Sequence, residues 1–145
     1  MNYSNALYPN EEQMKGFLQP GPEGPICMVN LLKFKPHAEY EDGRETNLTG
    51  REAYGLYEQG ITKLIQQVGG YLGFAADVER LALGEVEELW DVVGLAVWPS
   101  RQVMLEVMQS DEMREISVHR AAGLAGQLNI ETAGLYGQWL KDPSK

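Results

Sequence analysis

Hydrophobic positions along the chain form one dense run and several periodic stretches. The dense run is ICMVNLLKFK, residues 26–35, bounded by Gly24-Pro25 before it and Pro36 after it. Its richness in Val, Leu, Ile and Phe predicts a central strand covered on both faces. Alternation puts Ile26, Met28, Asn30, Leu32 and Phe34 on one face, and Cys27, Val29, Leu31, Lys33 and Lys35 on the other. Asn30 thereby enters an apolar face. An unpartnered buried amide costs about 1–3 kcal/mol, so this residue is either a structural cross-link or part of a polar pocket.

The remaining pattern alternates between the two periods. Asn10 caps a short helix over roughly residues 11–19, which the Pro- and Gly-rich run 20–25 stops. A polar stretch, residues 36–48, is long for a connection and reads as a mobile lid, a contact arm or a plain surface loop. Thr49 and Glu52 have capping-box spacing and open a helix to about Val68, with Ala53, Tyr57, Ile61, Leu64, Ile65 and Val68 as its apolar stripe. Gly60 inside that helix suggests close approach of a neighbouring element or tolerated strain. Strands are expected over Tyr71–Leu83, Trp90–Trp98 and Gln127–Tyr136, and helices over 101–109 and 112–124. Trp139 and the polar tail look peripheral.

Without the first helix the order is β-α-β-β-α-β. This is the α+β, ferredoxin-like order, in which helices cover one face of a four-stranded antiparallel sheet. The expected divisions are 1–25 as N-terminal helix and linker, 26–137 as one ferredoxin-like domain, and 138–145 as a tail. A helix layer buries a single face, yet residues 26–35 are apolar on both. The economical cover for the second face is another copy of the chain, sheet against sheet, in an isologous homodimer.

MVNLLKF at 28–34, AYGLY at 53–57, WD at 90–91, WPS at 98–100 and HRAAGL at 119–124 occur in one order over roughly residues 26–136. Together they resemble the domain-of-unknown-function family thirteen-thirty, within the dimeric α/β-barrel superfamily. The resemblance implies a ferredoxin-like subunit that pairs through its sheet and holds a pocket between sheet and helices. Relatives in that superfamily include cofactor-independent monooxygenases, lactone isomerases, aldoxime dehydratases and haem-dependent enzymes. The family itself implies no particular reaction.

Composition narrows the partners. At 145 residues and 43% hydrophobic the chain suits a single domain. A net charge of −9 repels phosphate, which argues against a nucleic acid or an anionic membrane surface. The lone Cys27 makes no internal disulfide and reads as a small buried hydrophobe. The opening MNYSNALYPNEEQ does not resemble a secretory signal, and no run reaches the ~20 apolar residues of a membrane span, so a cytoplasmic protein is expected. Scattered His37 and His119 with dispersed acids give no metal signature, and no phosphate loop, nucleophile elbow or carboxylate dyad is present, so no cofactor is expected.

Seven residues are weighed as site candidates. Asn30 is read as facing a pocket or bonding a neighbouring backbone group, and Lys33, on the other face, as packing its stem with its amine wet or paired. Arg120 falls in the apolar stripe of its helix and needs an acceptor, a carboxylate or a carbonyl: a protein acid such as Asp91, a backbone carbonyl, or a substrate carboxylate. His119 lies at the edge of that stripe, as a general base or a hydrogen-bonded structural histidine. Trp90 and Trp98 share a strand face with Gly94 and Ala96, whose small size leaves a hollow for a flat ligand or for a closely packed helix. Tyr54 can offer its hydroxyl to a pocket.

Two functions follow. One is a cofactor-independent enzyme acting on a small organic acid or aromatic metabolite, with Arg120 holding charge, Asn30, Trp90 and Trp98 contacting substrate, and His119 or Tyr54 moving a proton. The other is a non-catalytic homodimeric ligand-binding or interaction module, with Arg120 in a structural ion pair.

Overall fold

The structure, a computed structural model, describes residues 2–135. It contains α1 (Glu11–Phe17), β1 (Ile26–Phe34), α2 (Gly50–Gln67), β2 (Tyr71–Asp77), β3 (Val92–Trp98), α3 (Arg101–Met108), α4 (Asp111–Gly123) and β4 (Leu124–Ala133). The four strands form one antiparallel sheet in the order β2-β3-β1-β4. This is the ferredoxin-like α+β fold, with α2 in one crossover and α3–α4 in the other.

Local chemistry sets the helix starts. Asn10 and Gln13 cap α1 reciprocally, as Thr49 and Glu52 cap α2. Ser100 and Ser110 accept from Val103 N and Met113 N at the starts of α3 and α4.

The strand bounds differ from expectation at four places. β2 ends at Asp77 rather than near Leu83, because its partner β3 begins only at Val92, opposite Asp77. Trp90 and Asp91 therefore precede the strand instead of opening it. β4 starts at Leu124, directly after α4, because Leu124 already pairs with Phe34 across a bulge. A helix expected to run to residue 124 takes in Leu124, which hides this start. β4 ends at Ala133, short of the expected Tyr136, because Gly134 at φ 69° turns the chain out of the strand; Tyr136 itself, Trp139 and the tail lie outside the described residues.

The even-numbered face of β1 meets the helices. Ile26 and Met28 join Trp98, Tyr57, Ile61, Ile65, Met104, Val107 and Met113 in the main core. A small second core of Ala38, Tyr40, Ala53 and Ala122 fixes the polar connection before α2. Ala38 N donates to Leu48 O and Glu39 N to Ala122 O, both at 3.0 Å, so this stretch is pinned to α4 rather than detached as a lid or arm.

The opposite sheet face carries Val29, Leu31, Val93, Leu95, Leu128, Phe74 and Ile130, by the strand pairings. No described helix covers it, and Phe74 and Ile130 are 43% and 49% exposed. The N-terminal segment runs beside β4, where Ala6 and Gln127 exchange two backbone hydrogen bonds of 3.1 Å. Among the described residues, no helix is long and apolar enough to cross a membrane.

Candidate functional site

A cavity of about 650 Å³ lies between α2 and strands β1–β3. Its walls include Asn30, Phe34, Tyr54, Ile61, Gly94 and Ala96. The hollow has a simple origin. Gly94 sits directly opposite Asn30 and has no side chain, Ala96 has only a methyl, and the register shift between Leu72 and Phe74 bends β2 at the same level. At the mouth, Arg51 pairs with Asp77, and its guanidinium lies 5.5 Å from the Phe34 ring centre.

Asn30 is the end of a polar relay. Arg120 Nη1 donates to the Leu7 carbonyl (2.7 Å) and Nη2 to Gln127 Oε1 (2.6 Å). Gln127 Nε2 donates to Asn30 Oδ1 at 2.7 Å, and Asn30 Nδ2 donates to Met28 O at 3.1 Å. A longer contact of 3.5 Å reaches Gly94 O. Arginine has no acceptor, so it forces the Gln127 oxygen towards itself and the Gln127 NH₂ towards Asn30. Asn30 must then turn its own NH₂ away, towards Gly94 and the cavity. A donor-only residue thus sets which atom the cavity presents. The expected Arg120–Asp91 pair does not form: Asp91 accepts from Phe34 N (2.8 Å) and lies 3.6 Å from Lys33 Nζ.

Tyr54 reaches the same cavity from α2, its ring packed at 5.4 Å from both Phe34 and Tyr57. Burial, then the neighbouring Tyr57, push its phenol pKa far up, with Arg120 opposing. The hydroxyl therefore stays protonated at any ordinary pH, a donor and not a base.

His119 is placed elsewhere. Its Nδ1 is 2.7 Å from the Tyr40 hydroxyl, the two rings meeting edge-on at 5.6 Å, and the Arg44 guanidinium lies 4.6 Å from the Tyr40 ring centre. Burial and then Arg44 push its pKa below the usual value, favouring the neutral imidazole. It does not line the cavity beside Tyr54.

The two candidate tryptophans do not bracket one hollow. Trp98 is 2% exposed and belongs to the main core. Trp90 lies outside β3 against the N-terminal segment, donating from Nε1 to Asn5 Oδ1 (2.8 Å) and packing 4.9 Å from Tyr3. The hollow beside Gly94 and Ala96 exists, but Asn30 and Tyr54 bound it. Lys33, on the other face, is paired with Glu88 at 3.2 Å and donates to Leu89 O.

Sequence reasoning missed Gln127, the 7% exposed centre of the relay, although an amide among apolar strand positions was the same signal that singled out Asn30. Arg101, bound bidentately by Glu131, was also missed. Among the described residues, no group of three or more His, Cys, Asp or Glu is arranged to hold a metal ion.

Comparison with known proteins agrees with the fold. No protein-family model and no curated protein matches the chain. Among solved structures, the methylated RPA0582 protein is 32% identical, over 92% of this chain and 98% of its own, with a TM-score of 0.82. A second structure of RPA0582, described as a protein of unknown function from Rhodopseudomonas palustris, is 29% identical over 92% and 100%, with a TM-score of 0.81. A dimeric ferredoxin-like protein of unknown function from Thermobifida fusca is similar at 13% identity over 77% and 92%, with a TM-score of 0.46. At that identity and coverage to RPA0582, the chain belongs to the RPA0582 family of ferredoxin-like proteins.

Proposed function

We propose that the chain is a cytoplasmic small-molecule-binding protein whose ligand occupies the cavity between α2 and the sheet. One observation carries the reading: a hollow of about 650 Å³ whose largely apolar walls include two groups able to donate, the Asn30 amide and the Tyr54 hydroxyl. That size and mixture suit a compact organic ligand. Two donors call for an acceptor on the ligand, such as the carbonyl of a flat aromatic metabolite. Tyr54 fixed as a donor and His119 away from the cavity favour binding over proton abstraction from the ligand. The finer family assignment, to domain-of-unknown-function family thirteen-thirty, is part of this proposal and rests on the five short motifs alone.

Gly94→Leu tests the site. A Cβ added there meets only Phe74 O, at an ordinary 3.9 Å, so the leucine extends into the cavity. Compact aromatic ketones and aldehydes that bind the parent protein by ligand-observed NMR should bind the variant at least about tenfold more weakly, or about 1.4 kcal/mol. The melting temperature should hold or rise, since glycine weakens a strand interior. No binder from such a panel, or equal binding by both proteins, would defeat the reading.

The same proposal includes a homodimer through the apolar sheet face of Val29, Leu31, Leu95 and Ile130. Light scattering at micromolar concentration should give twice the 16.2 kDa chain mass, and Leu95→Lys should halve it. A 16.2 kDa mass for the parent protein would rule the dimer out.

A further inference from the structure

A second cavity, of about 440 Å³, lies under the N-terminal segment, between residues 4–17 and the helix-side face of β1 and β4. Its lining includes Phe17, Met28, Arg101, Arg120, Gln127 and Glu131. The charges in it do not balance. Arg101 and Glu131 neutralise each other through two hydrogen bonds, from Nε at 2.7 Å and Nη2 at 2.5 Å. Arg120 has only neutral acceptors, the Leu7 carbonyl and the Gln127 amide, and no acid among the described residues lies within ion-pair distance of it. Those two bonds use two of the five N–H donors of a guanidinium. In a chain with a net charge of −9, a half-buried arginine facing a cavity with no carboxylate of its own is unusual, since the one acid named in the lining, Glu131, is taken by Arg101. Its field reaches three phenols: burial raises the pKa of Tyr8, Tyr54 and Tyr57, and Arg120 lowers each.

We propose that this cavity is a second binding site, for a compact monocarboxylic acid whose carboxylate pairs with Arg120 and whose apolar part rests on Phe17 and Met28. The site is independent of the α2–sheet cavity and joined to it by the Arg120–Gln127–Asn30 relay. One guanidinium supplies one unit of positive charge, which a monocarboxylate matches. A phosphate dianion would leave charge uncompensated beside Glu131. The planar fork of arginine also fits the two oxygens of a carboxylate.

The test titrates the whole protein with benzoate, its neutral isostere benzamide, and inorganic phosphate, each by calorimetry up to about 10 mM. Benzoate should bind saturably, and benzamide and phosphate at least about tenfold more weakly. Arg120→Gln should remove benzoate binding. Gly16→Phe provides an arm that leaves the relay intact: Gly16 lines the cavity, a Cβ there meets nothing within 4 Å, and the ring would fill the space. It too should remove benzoate binding, whereas Gly94→Leu, in the other cavity, should keep it. Failure of benzoate to bind, equal binding of benzamide or phosphate, or retention of benzoate by Gly16→Phe would each overturn the proposal. Loss of benzoate in Gly94→Leu with retention in Gly16→Phe would assign the acid to the first cavity and also overturn it.

Discussion

Replacing Gly123 by Ala is expected to destabilise the protein by about 3 kcal/mol or more, at the upper end of what overpacking costs. The added Cβ would lie 2.3 Å from Gly50 O and 2.8 Å from Tyr54 N. Both are backbone atoms, which cannot swing aside as a side chain does. The reciprocal position is equally tight, a Cβ on Gly50 falling 2.1 Å from Lys35 O and 2.6 Å from Gly123 O. Three segments meet there through Lys35 N to Gly123 O at 2.8 Å and Gly50 N to Lys35 O at 3.1 Å. Neither glycine has a positive φ, so what the site demands is space and not a special backbone conformation. Gly55→Ala is the control. Nothing lies within 4 Å of a Cβ at that position of α2, and Ala there should stabilise by about 0.5–1 kcal/mol. Urea midpoints should therefore move in opposite directions, and a Gly123→Ala midpoint equal to that of the parent would refute the account.

Trp98→Ala should cost about 3–5 kcal/mol, the usual range for emptying a large aromatic site in a core. The indole is 2% exposed and packs with residues of β1, α2, α3 and α4, so the void it leaves is bounded by several elements at once. Ligand binding separates this structural role from a recognition role. In Trp98→Phe, which keeps most of the packing, affinity for a ligand of the α2–sheet cavity should be unchanged while the melting temperature falls. A large loss of affinity with stability intact would return Trp98 to the binding site.

The order of elements was legible because strands and helices advertise themselves by period. The capping pairs Asn10–Gln13 and Thr49–Glu52, and the caps Ser100 and Ser110, mark starts within a residue or so. The strand ends were less legible, since they depend on where a partner strand begins: β2 stops opposite the first residue of β3, whatever the hydrophobicity of Leu81 and Leu83. Asn30 drew attention correctly as a polar residue on the helix-side face of β1. Its partner Gln127 lies 97 residues away, and no local rule connects the two. Arg120 posed the right question: of the acceptors its charge called for, the fold supplied a backbone carbonyl, with a side-chain amide beside it, and not the acid Asp91. The reading of Trp90 with Trp98 failed for a geometric reason: alternation holds only within the strand, and Trp90 lies outside it.

The N-terminal segment carries one more consequence, of timing. Its anchors lie far along the chain, Arg120 to Leu7 spanning 113 positions and Trp90 to Asn5 spanning 85. Closing loops of that length before any reward is entropically unfavourable, so these contacts form after the sheet rather than nucleating it. Of the described residues in the segment, only Phe17 at its end packs against the main core, so opening of the segment is expected to cost less than global unfolding. Detachment would take the Leu7 carbonyl from Arg120 while leaving Gln127 in place. Such an opening would uncover the cavity wall that carries Arg120, a positive charge that no acid balances among the described residues.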